Sequence, residues 1–92
     1  MKSQLAGIER LFREGRLSAA EKSIAIGLEA EPHLACLHFW RGKVHFRKQE
    51  WGKAINAFQR VLEIDPHYPE AREQMEMARS ILDFYTPDMF NP

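Results

Sequence analysis

The sequence has little of what stabilises secreted domains or anchors proteins in membranes. Cys36 is the only cysteine among 92 residues, so an intramolecular disulfide is excluded. No apolar run is long enough for a signal peptide or a membrane span, because charged residues interrupt every apolar segment. The 13 basic residues equal the 13 acidic ones, which argues against a protein that coats nucleic acid or an anionic membrane. These absences predict a cytoplasmic domain with neither a nucleic-acid nor a membrane partner.

The sequence also lacks the motifs of enzymes and metalloproteins. It contains no G-x-S-x-G, no phosphate-binding glycine loop and no dinucleotide fingerprint. No C-x2-C or H-x3-H pair is present, and His38 and His45 stand seven residues apart, roughly 10 Å along a helix. Cys36 is interpreted as a small, partly buried residue and not as a nucleophile. We therefore expect no enzyme activity, no cofactor and no metal site.

What the sequence does contain is a succession of amphipathic segments, in which apolar residues recur at spacings of three and four. We predict five helices: Lys2–Arg13, one from a Ser18–Glu21 capping box to just before Pro32, Leu34–Lys48, Trp51–Ile64, and Pro69 to about Tyr85. Gly15 suits the left-handed position after the first helix. The turns are short, which predicts an all-α fold of antiparallel neighbours.

The sequence repeats itself with a period of 34 residues. Identical residues recur at that shift: Phe12 and Phe46, Arg13 and Arg47, Ala20 and Ala54, Leu28 and Leu62, and Pro32 and Pro66. A fixed period with matching stops is typical of a repeat architecture. Each helix–turn–helix unit stacks on the next, because no unit can bury its apolar face alone.

The second unit resembles the tetratricopeptide repeat. The residues at the glycine, A-x3-F and proline positions of that pattern are Gly42, Ala54, Phe58 and Pro66. The departures, at its tryptophan, leucine and tyrosine, are His38, Arg41 and His45. The resemblance implies a short right-handed solenoid in one domain over residues 1–85: a first repeat over 1–34, a second over 35–68, a capping helix over 69–85, and then a tail over 86–92.

Packing residues follow from the same pattern. Leu37, Trp40 and Val44 form the main apolar stripe of the third helix, with Phe39 and Phe46 on a neighbouring face. Small residues are expected where helices approach closely, at Gly42, Ala20 and Ala54. A larger side chain there would overpack the contact.

In tetratricopeptide folds the first helices of successive units line a concave groove that binds a peptide. The residues at those positions here are Leu5, Glu9, Phe12, Arg13, Phe39, Lys43, Phe46, Arg47 and Met77. Aromatic anchors beside arginines are typical of recognition surfaces. The resemblance implies a protein-interaction module whose peptide partner carries apolar side chains and an acidic group near Arg13, Lys43 and Arg47.

Two observations limit the interpretation of these residues as a peptide-binding groove. Phe12 and Phe46 are equally well explained as packing between neighbouring first helices. Chaperone-type grooves that clamp a terminal carboxylate use asparagine where this chain has Glu9 and Lys43, which argues against that ligand.

The third helix carries a basic run of Arg41, Lys43, Arg47 and Lys48. Together with Arg13, these residues are expected to form one positive surface. The zero net charge argues against nucleic acid as its ligand, and half of a peptide-binding groove is the favoured interpretation.

The apolar surface of the last helix indicates an alternative to groove binding. This surface is too wide for a fully solvated cap, so either the tail or another chain is expected to cover it. The residues concerned are Met77, Ile81, Phe84, Met89 and Phe90. The alternatives to groove binding are therefore a self-associating assembly protein, such as a homodimer, and a small chaperone.

Overall fold

The structure is a computed structural model that describes residues 2–85. It has five helices: α1 Lys2–Arg13, α2 Leu17–Ala30, α3 Ala35–Arg47, α4 Trp51–Ile64 and α5 Ala71–Tyr85. Residues 2–85 contain no strand, which confirms the predicted all-α class. None of these described helices is long and apolar enough to cross a membrane.

Each helix packs against the next along the chain, and α1 also contacts α3. α1 and α2 form a first helix–turn–helix unit, α3 and α4 form a second, and α5 packs on α4. The first helices of the two units are therefore neighbours. This is the arrangement expected when such units stack.

α3 contributes to both hydrophobic cores. The first core consists of Ile8, Ala20, Ile24, Leu37 and Val44. The second core consists of Phe39, Ala54, Phe58, Val61, Ala71 and Ala78. Because Leu37 and Val44 of α3 complete the first core, the first unit does not bury its apolar face by itself. Hydrophobic burial, and not only the connecting chain, therefore holds the two units together.

α3 and α4 approach closely at Gly42. A Cβ atom added to Gly42 would lie 2.6 Å from Cε1 of the Phe58 ring, inside van der Waals contact. Phe58 is fully buried, so its ring has no free space into which it can retreat. The prediction that Gly42 marks a close helix approach is confirmed, and Ala20 and Ala54 are also fully buried.

The turns that follow α1 and α3 share one backbone geometry. Gly15 has a φ of 76°, and Gln49, 34 residues later, has a φ of 63°. In both turns the next amide, that of Arg16 or Glu50, donates at 2.9 Å to the carbonyl five residues earlier. This is the Schellman arrangement of a helix end. The prediction of a left-handed conformation at Gly15 is confirmed. In the second turn Gln49 occupies the same conformation, which a residue with a Cβ disfavours.

The start of α2 differs from the prediction. The helix begins at Leu17, and its N-cap Arg16 makes no side-chain capping hydrogen bond. Ser18 is therefore already inside the helix, and the predicted Ser18–Glu21 capping box is wrong. The physical reason is the Schellman turn, which leads the chain from Gly15 into α2 within two residues.

The start of α5 also differs. Pro69 lies before the helix and not in its first turn, because Glu70 has a left-handed φ of 67° and the helix begins at Ala71. α3 is one residue shorter at each end than predicted, with Leu34 as its N-cap and Lys48 as its C-cap. The other predicted ends agree with the structure to within two residues.

Gly42→Ala is expected to lower the free energy of unfolding by about 1–3 kcal/mol, because overpacking against Phe58 outweighs the better helix propensity of alanine. Thermal and urea unfolding followed by circular dichroism measure the change. Gly52→Ala is the matched control, since no atom lies within 4 Å of a Cβ at that helical position. Equal effects of the two substitutions would contradict a critical contact at Gly42.

Gln49→Gly is expected to stabilise the protein by about 0.5–1 kcal/mol, because relief of the left-handed strain exceeds the extra backbone entropy of glycine in the unfolded state. Gly15→Gln places the same side chain in the equivalent turn and should destabilise by a similar amount. Chemical denaturation of both variants measures the two changes. Effects of the same sign would show that the two turns are not equivalent.

Candidate binding groove

Aromatic rings and cations from α1 and α3 meet on one surface. Lys43 Nζ lies 4.6 Å from the ring centroid of Trp40 and 5.4 Å from that of Phe12. The guanidinium carbon of Arg47 lies 5.1 Å from the Phe12 centroid. Phe12 and Trp40 meet edge to face, with centroids 5.5 Å apart. These four residues, here called the aromatic–cation row, join the first helices of the two units through cation–π contacts.

The cations of this region carry uncompensated charge. Within residues 2–85, no carboxylate oxygen lies within 4.0 Å of Lys43, Arg47 or Arg13. Arg13 and Arg47 are exposed, and Lys43 is half-buried. An aromatic face attracts a cation but does not neutralise it. The row therefore presents positive charge beside apolar surface.

Phe39 and Trp40 are placed differently from the prediction. Phe39 is only 8% exposed and belongs to the second core, with centroids 5.7 Å from Phe58 and 5.1 Å from Tyr68. Phe39 is thus largely enclosed, although its ring centroid lies 5.7 Å from Lys43 Nζ, and its place in a groove stays a prediction. Trp40, predicted only as a packing residue, contributes a half-buried ring to the row. Adjacent residues differ by roughly 100° around a helix. The sequence pattern does not signal which ring of such a pair will be enclosed.

The sequence is compatible with both packing and surface roles for Phe12 and Phe46. Both are half-buried, and both meet a tryptophan edge to face. Phe46 lies 5.1 Å from Trp51, between centroids. Packing thus buries part of the surface of each ring and leaves the rest accessible to a ligand.

The other predicted groove residues are spread along the flanking helices. Leu5 is half-buried against the first core. Glu9 is exposed on α1, and Met77 is 51% exposed on α5. None of these three joins the aromatic–cation row, and their role in a groove stays a prediction.

The predicted self-association surface is only partly within the described residues. Ile81 is half-buried and Phe84 is 78% exposed on α5, close to Met77 in sequence. Met89 and Phe90 lie outside the described residues. Self-association stays a prediction.

The expected single positive surface is wrong, because the basic run divides between two sides of α3. Lys43 and Arg47 lie over Phe12 of α1. Arg41 instead lines a shallow cavity together with residues of α2, and Lys48 donates to Glu21 Oε1 at 2.9 Å. Positions four apart share a helix face, whereas positions two apart do not.

A polar cluster on that second side joins α2, α3 and the turn before α4. His45 donates Nδ1–H to Glu50 Oε1 at 2.8 Å, and Lys48 Nζ lies 2.9 Å from Glu21 Oε1 and 3.7 Å from Glu50 Oε1. The hydrogen bond from His45 lowers the pKa of Glu50, and the bond to Glu21 raises the pKa of Lys48. The cluster connects the two units electrostatically at their edge.

The same cluster holds metal-type ligand atoms that the sequence spacing did not reveal. One ligand atom each of Glu21, His45 and Glu50 lies within 4.8 Å of the other two. His45 and Glu50 are five residues apart in the second unit, whereas Glu21 belongs to α2 and reaches them only because the units stack. The Lys48 ammonium already supplies positive charge to both carboxylates, so the cluster is satisfied as an ion-pair network.

Burial disfavours the charged forms of two side chains, the buried His38 and the half-buried Cys36. His38 is 6% exposed and donates Nε2–H to the Pro32 carbonyl at 2.8 Å, while its Nδ1 has no hydrogen-bond partner among residues 2–85. Burial lowers the pKa of His38, with Arg41 and Arg60 acting in the same direction. Burial likewise raises the pKa of the Cys36 thiol. A raised thiol pKa disfavours the thiolate that a nucleophile requires.

His38 is expected to make stability depend on pH. Below its ordinary pKa of 6.5 the unfolded chain binds a proton at His38, whereas the folded protein resists that proton until its lower pKa is reached. The free energy of unfolding should therefore fall as pH falls through that window, and be unaffected by His38 above it. Urea titrations from about pH 7.5 to about pH 5 measure the slope.

His38→Gln retains a donor for the Pro32 carbonyl and should flatten the pH dependence in this window. His67→Gln is the control, because His67 is exposed. An unchanged slope in His38→Gln would show that another group is responsible.

Comparison with known protein families finds a match to the second unit. Residues 35–68 match the family described as tetratricopeptide repeat. The matched stretch contains α3, α4, the turn between them and the turn after α4, and hence Trp40, Lys43 and Arg47 of the row. No curated protein matches the chain.

Proposed function

We propose that the protein binds a segment of a partner protein along α1 and α3. The premise is that residues 35–68 match the tetratricopeptide repeat and that the five helices fit a small protein of that family. Repeats of this family are in general protein-interaction modules and are typically not enzymes. The proposed ligand lies across the aromatic–cation row and presents an acidic group to Lys43 and Arg47. Apolar side chains beside that group pack on Phe12 and Trp40.

The observation that carries this proposal is the contrast between the two sides of α3. On one side Lys48 lies between two carboxylates, and its charge is satisfied within the protein. On the other side Lys43 and Arg47 lie over aromatic rings and form no ion pair with a carboxylate of residues 2–85. A surface with unmatched positive charge complements an acidic partner, because complementary charge steers encounter and fixes orientation.

The aromatic rings support the same ligand. Trp40 and Phe12 are rigid and half-buried, so they lose little conformational entropy when a ligand packs on them. Aromatic and arginine side chains contribute much of the binding energy at protein interfaces. A ligand that carries only charge would leave these rings unused, and a ligand that is only apolar would bury Lys43 without a partner.

The test is a binding screen against an array of peptides in which acidic, basic and neutral residues are combined with apolar ones. We expect peptides with an acidic residue next to apolar residues to be enriched, and their affinity to fall with ionic strength. Lys43→Glu combined with Arg47→Glu should weaken these peptides by about tenfold or more, equivalent to roughly 1.4 kcal/mol or more.

Lys22→Glu combined with Arg72→Glu is the control, because it makes the same change of net charge at exposed residues of α2 and α5. Lys43→Gln with Arg47→Gln tests the charge without introducing repulsion. Equal weakening by the groove and control pairs would indicate a general charge effect, and enrichment of basic peptides would overturn the proposal.

A further inference from the structure

A cleft lies beside the last two turns of α5. It is lined by Gln49, Trp51, Ser80, Ile81 and Phe84 and has a volume of about 440 Å³. We call it the Trp51 cleft. Trp51 and Ile81 give it apolar walls, while Gln49 and Ser80 supply polar groups. Trp51 also meets Phe46 edge to face at 5.1 Å, so the cleft adjoins the surface of α3.

We propose that residues 86–92 of the same chain dock in the Trp51 cleft, with Met89 and Phe90 packed against Trp51 and Ile81. These residues follow directly on Tyr85, the last residue of α5. Pro87 cannot continue the helix and disfavours helical geometry at Thr86. On these sequence rules alone, we expect the helix to end close to the turn that lines the cleft.

The length of chain suffices for this docking. Phe90 lies five residues beyond Tyr85, so an extended segment reaches at most about 17 Å from the helix end. Ile81 lies four residues before Tyr85, or about 6 Å back along the helix axis. The segment can reverse direction after Pro87 and still place both apolar side chains in the cleft.

The chemistry of the segment matches that of the cleft. In the sequence TPDMFNP, Met89 and Phe90 are the only large apolar side chains, and they are adjacent. Adjacent side chains of an extended segment point in opposite directions. In the proposed docking, Met89 and Phe90 can therefore contact two different apolar lining residues, Trp51 and Ile81.

The tethered segment is a better occupant than a second copy of the chain. A cleft lined by five residues is small beside a stable protein–protein interface, which uses about 20–30 residues on each side. A segment joined through a short linker acts at an effective concentration in the millimolar range, well above that of a second molecule in dilute solution. The small surface thus favours an intramolecular partner.

The experiment uses the full chain and nuclear magnetic resonance of two reporters, the Trp51 indole N–H and the Ile81 δ-methyl group. Met89→Ser combined with Phe90→Ser should shift both signals, while Asn91→Ser, the matched control in the same segment, should shift them much less. Trp40, the other tryptophan, is an internal reference for the fold. Absence of a shift at Trp51 and Ile81 would overturn the proposal.

A second measurement does not depend on removing the apolar pair. A spin label on Asn91→Cys, in a Cys36→Ser background, should broaden the Trp51 and Ile81 signals and leave Ile8 in the first core sharp. The labelled protein is also diluted with unlabelled protein. Broadening that is unchanged supports docking within one chain, whereas broadening that disappears shows that a second copy fills the cleft and overturns the proposal.

The docking proposal is independent of the proposed groove ligand. Its reporters are read in the protein alone, without any peptide. Failure of the peptide screen would leave the Trp51 and Ile81 results unaffected, and the reverse is also true.

Discussion

The contact between Gly42 and Phe58 is the constraint on which the second unit depends. The Phe58 ring lies where a Cβ of residue 42 would be, so the backbone of α3 itself forms part of the wall of the second core. Close packing of this kind leaves no compensating movement, because the ring is fully buried. The contact sets the separation of α3 and α4, and with it the positions of Phe39 and of the turn at Gln49.

The first unit depends in turn on α3. Leu37 and Val44 complete the first core, so the position of α3 also sets the stacking of the two units. Stacking brings Phe12 of α1 against Trp40, Lys43 and Arg47 of α3. The aromatic–cation row is therefore complete only where the units meet, because Phe12 comes from the first unit and the other three residues come from the second. Its geometry is only as rigid as the packing beneath it.

The basic residues on the two sides of α3 have different neighbours. Lys48 closes an ion-pair network with Glu21 and Glu50, at the edge where the two units meet. Lys43 and Arg47, on the other side, lie over rings and keep their charge available to a ligand. Surface ion pairs contribute little to stability. The network therefore bridges α2 and the turn before α4 without contributing much to stability.

Much of the fold could be predicted from the sequence, because helical periodicity, glycine and proline act locally and recur at 34 residues. The five helices, the left-handed Gly15 and the small residue at position 42 all follow from such local rules.

The candidate site could be predicted only in part. Phe12, Lys43 and Arg47 follow from the repeat, but Trp40 and the enclosure of Phe39 do not. Neighbouring residues on a helix differ by a fraction of a turn, and only the helices packed against α3 decide which side chain is covered. The same packing divided the basic run and brought Glu21 to His45, across a distance in sequence that no local pattern records.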